Sequence, residues 1–292
     1  MSGAAALLKT LRPHQWVKNL FVAAPLVFSR HLTDPAYALR TALAVLAFCA
    51  LSGAVYAFND VRDVETDRVH PTKRNRPIAA GRLTERGAMI WAGVLAVGAL
   101  AGCFLIDWRL AAFAAAYLVQ NVLYSVKLKQ IAFLDVGLIA SGFLLRVYAG
   151  AVAIDVHASG WLLLCTALLA TFLGLGKRAH ELAWAERTGQ AATTRAALAG
   201  YRIGVVRLAM YALALTTCVA YLGYTVLGAP GVFGTDRLAY SSPFVALGIM
   251  RYLYLALWRP KDESPTEAML KDPWFLLDLV GATATVLYII YG

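Results

Sequence analysis

Nine apolar stretches divide this 292-residue chain, at residues 16–32, 37–59, 85–106, 109–126, 132–154, 158–176, 204–228, 239–258 and 273–291. About 20 consecutive apolar residues in a helix cross the hydrocarbon core of a bilayer, so most of these segments have the length of a membrane span. The chain is 60% hydrophobic and 15% charged, against about 45–50% and 25% for a soluble domain. A soluble globule is excluded, and little sequence is left for a separate soluble domain. The pattern predicts an all-α, polytopic membrane protein of nine transmembrane helices, residues 1–292 forming one integral-membrane domain.

The formal charge of +10 does not point to nucleic acid, because no basic run is interleaved with exposed aromatics. The charges fall between the apolar stretches. With the N-terminus cytoplasmic, 21 of the 27 Lys and Arg lie on that side, two lie within spans (Arg146 and Arg251), and four lie opposite (Arg30, Arg40, Arg109 and Arg237). This asymmetry obeys the positive-inside rule. It predicts that the two long charged loops, 60–84 and 177–203, face the cytoplasm. Cys49, Cys103, Cys165 and Cys218 all sit in apolar stretches without a CxxC pair, so they read as small core residues and not as a disulfide or zinc framework. Residues 1–16 lack a basic region followed by a continuous apolar core, which argues against a cleaved signal. The first span is expected to act as the insertion signal.

The most specific motif is Asn59-Asp60-Val61-Arg62-Asp63-Val64-Glu65-Thr66-Asp67, where the second span leaves the apolar core. At 100° per residue, Asn59, Asp63 and Asp67 share one helical face. Hard oxygen ligands of this kind suit a magnesium ion held by one or two carboxylates and shared with substrate phosphates. The alternative is a solvated helix end in which Asp63 and Asp67 pair with Arg62 and Arg68. Like charges stacked at i, i+4 repel unless a cation neutralises them, which favours the metal.

Downstream, Lys73, Arg74 and Arg76 lie in a stretch broken by Pro71 and Pro77, setting cations beside the acidic face. Metal and cations together make a two-part site for a diphosphate; a loop that only fixes topology is the alternative. A second cytoplasmic cluster, Gly176-Lys177-Arg178-Ala179-His180-Glu181, follows the sixth span. It suits a phosphate, although Lys177 and Glu181 at i, i+4 also suit a surface ion pair. At the end of the fourth span, Gln120, Tyr124 and Lys127 share a face. Lys18 and Asn19 close an amphiphilic N-terminal stretch in which Trp16 and Lys18 also suit an interfacial anchor. Arg146 lies within the fifth span, too far from Asp135 for a direct pair, and snorkelling to the far interface is the simple expectation for it.

Asn59-Asp60-x-x-Asp63-x-x-x-Asp67 after the second span resembles the first Asp-rich motif of the UbiA superfamily of intramembrane prenyltransferases, and Tyr124-Ser125-x-Lys127 resembles its tyrosine–lysine motif. The resemblance covers almost the whole chain and implies nine helices around a central cavity, with magnesium on the Asp-rich motif. Members acting on aromatic acceptors usually carry a second Asp-rich motif after the sixth helix, where this chain has Lys177-Arg178-Ala179-His180-Glu181. That stretch and Arg12-Pro13-His14-Gln15-Trp16-Val17-Lys18-Asn19 look like the decaprenyl-phosphate phosphoribosyltransferase branch.

The branch resemblance implies transfer of 5-phosphoribose from phosphoribosyl pyrophosphate to a polyprenyl phosphate, releasing pyrophosphate, for arabinogalactan precursors of the cell wall, in the plasma (inner) membrane. On that reading Asn59, Asp63 and Asp67 hold Mg2+ and, with Lys73 and Arg76, carry the catalytic chemistry. Lys18, Asn19, Asp60, Arg74, Tyr124, Lys127, Lys177, Arg178 and Glu181 are the candidate substrate-binding residues. Which basic cluster meets the 5-phosphate and which the lipid phosphate stays open, as does self-association. A conventional prenyltransferase acting on an aromatic acceptor is the first alternative. A transporter is the second, opposed by carboxylates clustered at the membrane mouth and not at the midplane.

Overall fold

The computed structural model describes residues 3–188, 198, 200–259 and 264–292; Arg195 and Lys261, counted above among the loop cations, lie outside them. All regular structure among the described residues is helical. Among the described residues six helices are long and apolar enough to cross a membrane: Pro35–Arg62, Glu85–Ile106, Leu134–Ala153, Gly160–Glu186, Ile203–Phe233 and Pro273–Tyr291. The protein is an integral membrane protein. Of the other three apolar stretches, 109–126 lies in the Trp108–Val126 helix. The stretch 239–258 is divided among a 3-10 turn at Arg237–Ser241, an α-helix at Ser242–Leu253 and a π segment at Tyr254–Trp258. The first, 16–32, is mostly a 3-10 helix, Pro13–Ala23, running into a short α-helix at Ala24–Phe28.

Local sequence explains where the long helices begin. Asp34 precedes Pro35 and accepts from Ala36 N–H at 2.8 Å, while Asp272 precedes Pro273 and accepts from Phe275 N–H at 2.9 Å. Each acceptor satisfies an otherwise orphaned N–H, and proline next to the cap removes another. Thr84 does the same for Glu85–Ile106 through Gly87 N–H at 3.1 Å.

The chain divides into two units, Met1–Val126 with Leu145–Ala158, and Lys127–Leu144 with Ser159–Gly292. In the first, small side chains let backbones approach, the device that replaces hydrophobic drive inside lipid. Ala54, Ala57 and Ala92 pack together, and Ala44, Phe48, Leu51, Ala99, Cys103, Ala114 and Tyr117 build the larger core. In the second, Phe172, Leu175, Met210, Ile249 and Tyr252 are central. Gly176 is required there because a Cβ would collide with the Tyr252 ring, whose hydroxyl donates to Leu173 O at 2.8 Å. Pro273–Tyr291 presents Leu277 and Val280 outward, the apolar face a lipid-bathed helix keeps.

Candidate active site

The acidic motif keeps α-helical register through a one-residue break in the helix at Asp63. Pro35–Arg62 ends at Asp63, and Val64–Val69 starts immediately after it. The i to i−4 bonds nevertheless continue, with Asp63 N–H on Asn59 O at 2.9 Å and Asp67 N–H on Asp63 O at 2.8 Å. The four-residue spacing of Asn59, Asp63 and Asp67 is therefore a hydrogen-bonded helical spacing in the fold. Asp60 and Asp67 are each only 2% exposed. Arg76 Nη1 donates to both, at 3.1 Å to Asp60 Oδ1 and 2.7 Å to Asp67 Oδ2. Arg12 Nη2 reaches the same Asp60 oxygen at 2.5 Å, its guanidinium 4.9 Å from the Tyr56 ring centroid. Two carboxylates removed from water are thus held by two arginines, as burying such charges demands.

The Asp67–Arg68 half of the solvated-end alternative is not what forms: Asp67 is buried on Arg76, and Arg68 goes to Glu65 at 2.5 Å and to Glu85 at 3.8 Å. Two features escaped the sequence reading. Asp60 and Asp67 are seven residues apart, two helical turns, so they share a face, a spacing visible in the sequence. Arg12 is 48 residues from Asp60 and has a left-handed backbone, φ 52°, which no local pattern announces.

The loop that delivers Arg76 is built from its own residues. Ile78 is buried against Val64 and Ala88, with Val61 and Leu83 alongside. Pro77 O accepts from Arg82 and Leu83 N–H at 2.8 and 3.2 Å, and Gly81 turns the chain at φ 69°, a conformation glycine adopts without strain. Lys73 and Arg74, on the Lys73–Asn75 3-10 turn, are exposed.

In the second unit, Arg178 is fully buried beside an equally buried Asp135, Nε to Oδ2 at 3.0 Å. That approach is close enough for an ion pair but lacks hydrogen-bond alignment, since both atoms stay without a hydrogen-bond partner. Arg178 Nη1 also donates to Glu181. Tyr201 O–H donates to Asp135 Oδ1 at 2.6 Å and accepts from Phe133 N–H at 2.7 Å. Burial, then the bond to Asp135, pushes the Tyr201 phenol up from its ordinary range. Phe133, at φ 65°, is held by that bond. Arg178, expected to meet a phosphate, is therefore committed to two carboxylates inside the unit, while Lys177 is only half-buried.

Tyr124 is half-buried near the end of Trp108–Val126, and Lys127 is exposed just after it. Lys18 donates to Gln15 Oε1 at 2.6 Å. Asn19, expected to bind substrate, is completely buried and accepts from Arg146 Nε at 2.8 Å. Arg146 does not snorkel: it is 7% exposed and also donates to Tyr117 O–H at 2.7 Å, because internal acceptors offset its desolvation.

Among the described residues no group of three or more His, Cys, Asp or Glu side chains converges on one point. A magnesium site does not require one. Mg2+ takes one or two carboxylates and fills its remaining positions with water and phosphate oxygens. Asp63 and Asp67, one turn apart with Asn59 one turn before, fit that donor set.

The UbiA prenyltransferase family profile matches residues 19–278. A decaprenyl-phosphate phosphoribosyltransferase of Mycolicibacterium smegmatis is 41% identical over 75% of this chain and 69% of its own length. One from Mycobacterium tuberculosis is 38% identical over 85% and 82%. Among solved structures, a UbiA homolog from Archaeoglobus fulgidus bound to GPP and Mg2+ superposes with a TM-score of 0.72 at 16% identity, over 98% of this chain and 100% of that one. The chain belongs to the UbiA prenyltransferase family.

Proposed function

We propose that this protein transfers 5-phosphoribose from phosphoribosyl pyrophosphate to a polyprenyl phosphate and releases pyrophosphate, in the plasma membrane with its polar site on the cytoplasmic side. The observation that carries the reading is the 41% and 38% identity to two decaprenyl-phosphate phosphoribosyltransferases, over most of this chain. The residues agree with it. Where a second acidic motif would serve a prenyl-diphosphate enzyme, this chain has Lys177-Arg178-Ala179-His180-Glu181, and Lys177 there suits chemistry with one diphosphate and additional phosphates.

Asn59, Asp63 and Asp67 would hold Mg2+, which when bound neutralises charge on the diphosphate leaving group. Arg76 lies against Asp67 of that set and against Asp60 and, with Lys73 and Arg74 on the adjoining turn, supplies donors for the oxygens of departing pyrophosphate. Such fixed cations lower the barrier because negative charge grows on that group while positive character develops at ribose C1. The acceptor is already a phosphate anion, so its attack needs no strong general base. Lys177, Tyr124 and Lys127 are assigned to the remaining phosphates, whereas Arg178 and Glu181 organise the helix end that carries Lys177. The lipid tail leaves bilayer for protein, so shape and length select it more than hydrophobicity.

The test is incubation of purified protein with ribose-labelled phosphoribosyl pyrophosphate, a polyprenyl phosphate and Mg2+, followed by organic extraction. Label in the organic phase that a chelator abolishes is the expected result. No transfer, with turnover of an isoprenyl diphosphate onto an aromatic acceptor, would move the protein to conventional prenyl transfer.

A further inference from the structure

Arg146 is a buried cation to which the reaction above gives no task. Its fork is occupied on two sides, Nε by Asn19 Oδ1 at 2.8 Å and Nη2 by Tyr117 O–H at 2.7 Å. Asn19 is held in turn: its amide donates to Cys49 Sγ at 3.3 Å and its oxygen accepts from Ser52 Oγ at 3.3 Å. One turn along the Arg146 helix, Gly150 lies so close to Val22 that a Cβ would overlap the Val22 carbonyl.

The two contacts are in register. Arg146 to Gly150 is four residues of α-helix, about 6 Å at 1.5 Å per residue. Asn19 to Val22 is three residues of 3-10 helix, also about 6 Å at 2.0 Å per residue. An 11-residue 3-10 helix is far longer than the three or four residues usual for that geometry, and this two-point seat accounts for its persistence. In a three-residue repeat, Trp16, Asn19 and Val22 share the seated face, and Gln15 and Lys18 share the next one. Lys18 Nζ meets Gln15 Oε1 along that second face at 2.6 Å. Just before the segment, Arg12 holds Asp60 at 2.5 Å, and Trp16 Nε1 donates to Leu11 O at 3.1 Å.

We propose that Arg146 is a positioning residue: through Asn19 it fixes the rotation of the Pro13–Ala23 segment and so the aim of Lys18 at a diphosphate. The proposal rests on the reading that the acidic cluster takes a diphosphate, and not on which group that diphosphate carries. Arg146→Lys keeps the buried charge but replaces the planar fork, so it cannot satisfy both acceptors from the same directions.

The test measures binding of magnesium pyrophosphate by calorimetry on the full-length protein in detergent, so it stands even if phosphoribosyl transfer is not observed. Arg146→Lys is expected to melt near the wild-type temperature and weaken binding about tenfold, Lys18→Met to weaken it comparably, and the double variant to be no worse than Lys18→Met, because residues acting through one another are non-additive. Native affinity in a folded Arg146→Lys protein, or effects that multiply in the double variant, would overturn the proposal. Should Arg146→Lys not accumulate, Tyr117→Phe keeps the ring and removes one acceptor. A loss of about threefold is then expected, and native affinity contradicts the assignment.

Discussion

Arg76 and Asp67 are joined at 2.7 Å across nine residues of chain, so the carboxylate expected to meet a divalent cation is already held by a monovalent one. On the proposed assignment, Mg2+ would compete with the guanidinium for this carboxylate.

This competition predicts the behaviour of Arg76→Met. Removing the guanidinium takes a partner from both Asp60 and Asp67, which are almost fully buried. Loss of one partner of a buried pair costs about 3–5 kcal/mol, and because Arg76 is 28% exposed the lower end applies. The variant should melt below wild type in the absence of metal and recover part of the difference as Mg2+ is added. No recovery with Mg2+ would place the metal elsewhere.

Asp63→Asn and Asp67→Asn should each insert normally and lose about 100-fold or more in turnover, the scale of removing a group that stabilises transition-state charge. The Mg2+-dependent rise in melting temperature should vanish with it. Retained turnover with an unchanged Mg2+ titration would count against the metal assignment.

In the second unit the structure predicts an order of stability effects. Arg178→Ala leaves Asp135 a buried, uncompensated charge and should cost about 3–5 kcal/mol. Tyr201→Phe leaves Asp135 Oδ1 and Phe133 N–H each short of one bond and should cost about 1–3 kcal/mol. Differential melting of the two variants checks the order. An Arg178→Ala protein with native stability and a raised KM for one phosphate substrate would restore direct phosphate binding.

Asp272 gives a pH dependence. Arg251 donates to it twice, at 3.0 and 2.6 Å, and holds its carboxyl below the usual range. A lowered folded pKa contributes stability that is complete above the unfolded value and lost as pH falls through the folded one. The melting difference between wild type and Asp272→Asn, which keeps the helix cap, should be constant near neutral pH and shrink below about pH 4. A difference that widens in acid would contradict the pairing.

The sequence reading succeeded where periodicity and chemistry are local. The long apolar runs located the six membrane-length helices, and the Asp spacing carried through the junction at Asp63 because one hydrogen-bond register runs across it. It failed where partners are distant in the chain. Arg12 reaches Asp60 from 48 residues away, and Arg146 reaches Asn19 from 127. Arg178 reads in the sequence as a candidate phosphate ligand beside Lys177, and nothing local announces its contact with Asp135 on another helix. The first apolar stretch reads as an ordinary span, but it folds mostly as a 3-10 helix whose Asn19 and Val22 lie against Arg146 and Gly150.

The central claim is that phosphoribose, and not a prenyl group, is what moves. Two preparations of phosphoribosyl pyrophosphate, one carrying 32P in the 5-phosphate and one in the β-phosphate of the diphosphate, distinguish the two when each is incubated with the protein, polyprenyl phosphate and Mg2+. The account predicts that the 5-phosphate label enters the lipid phase while the β-label remains aqueous as pyrophosphate. Absence of both labels from the lipid, with pyrophosphate released only when an isoprenyl diphosphate and an acceptor are supplied, would contradict it.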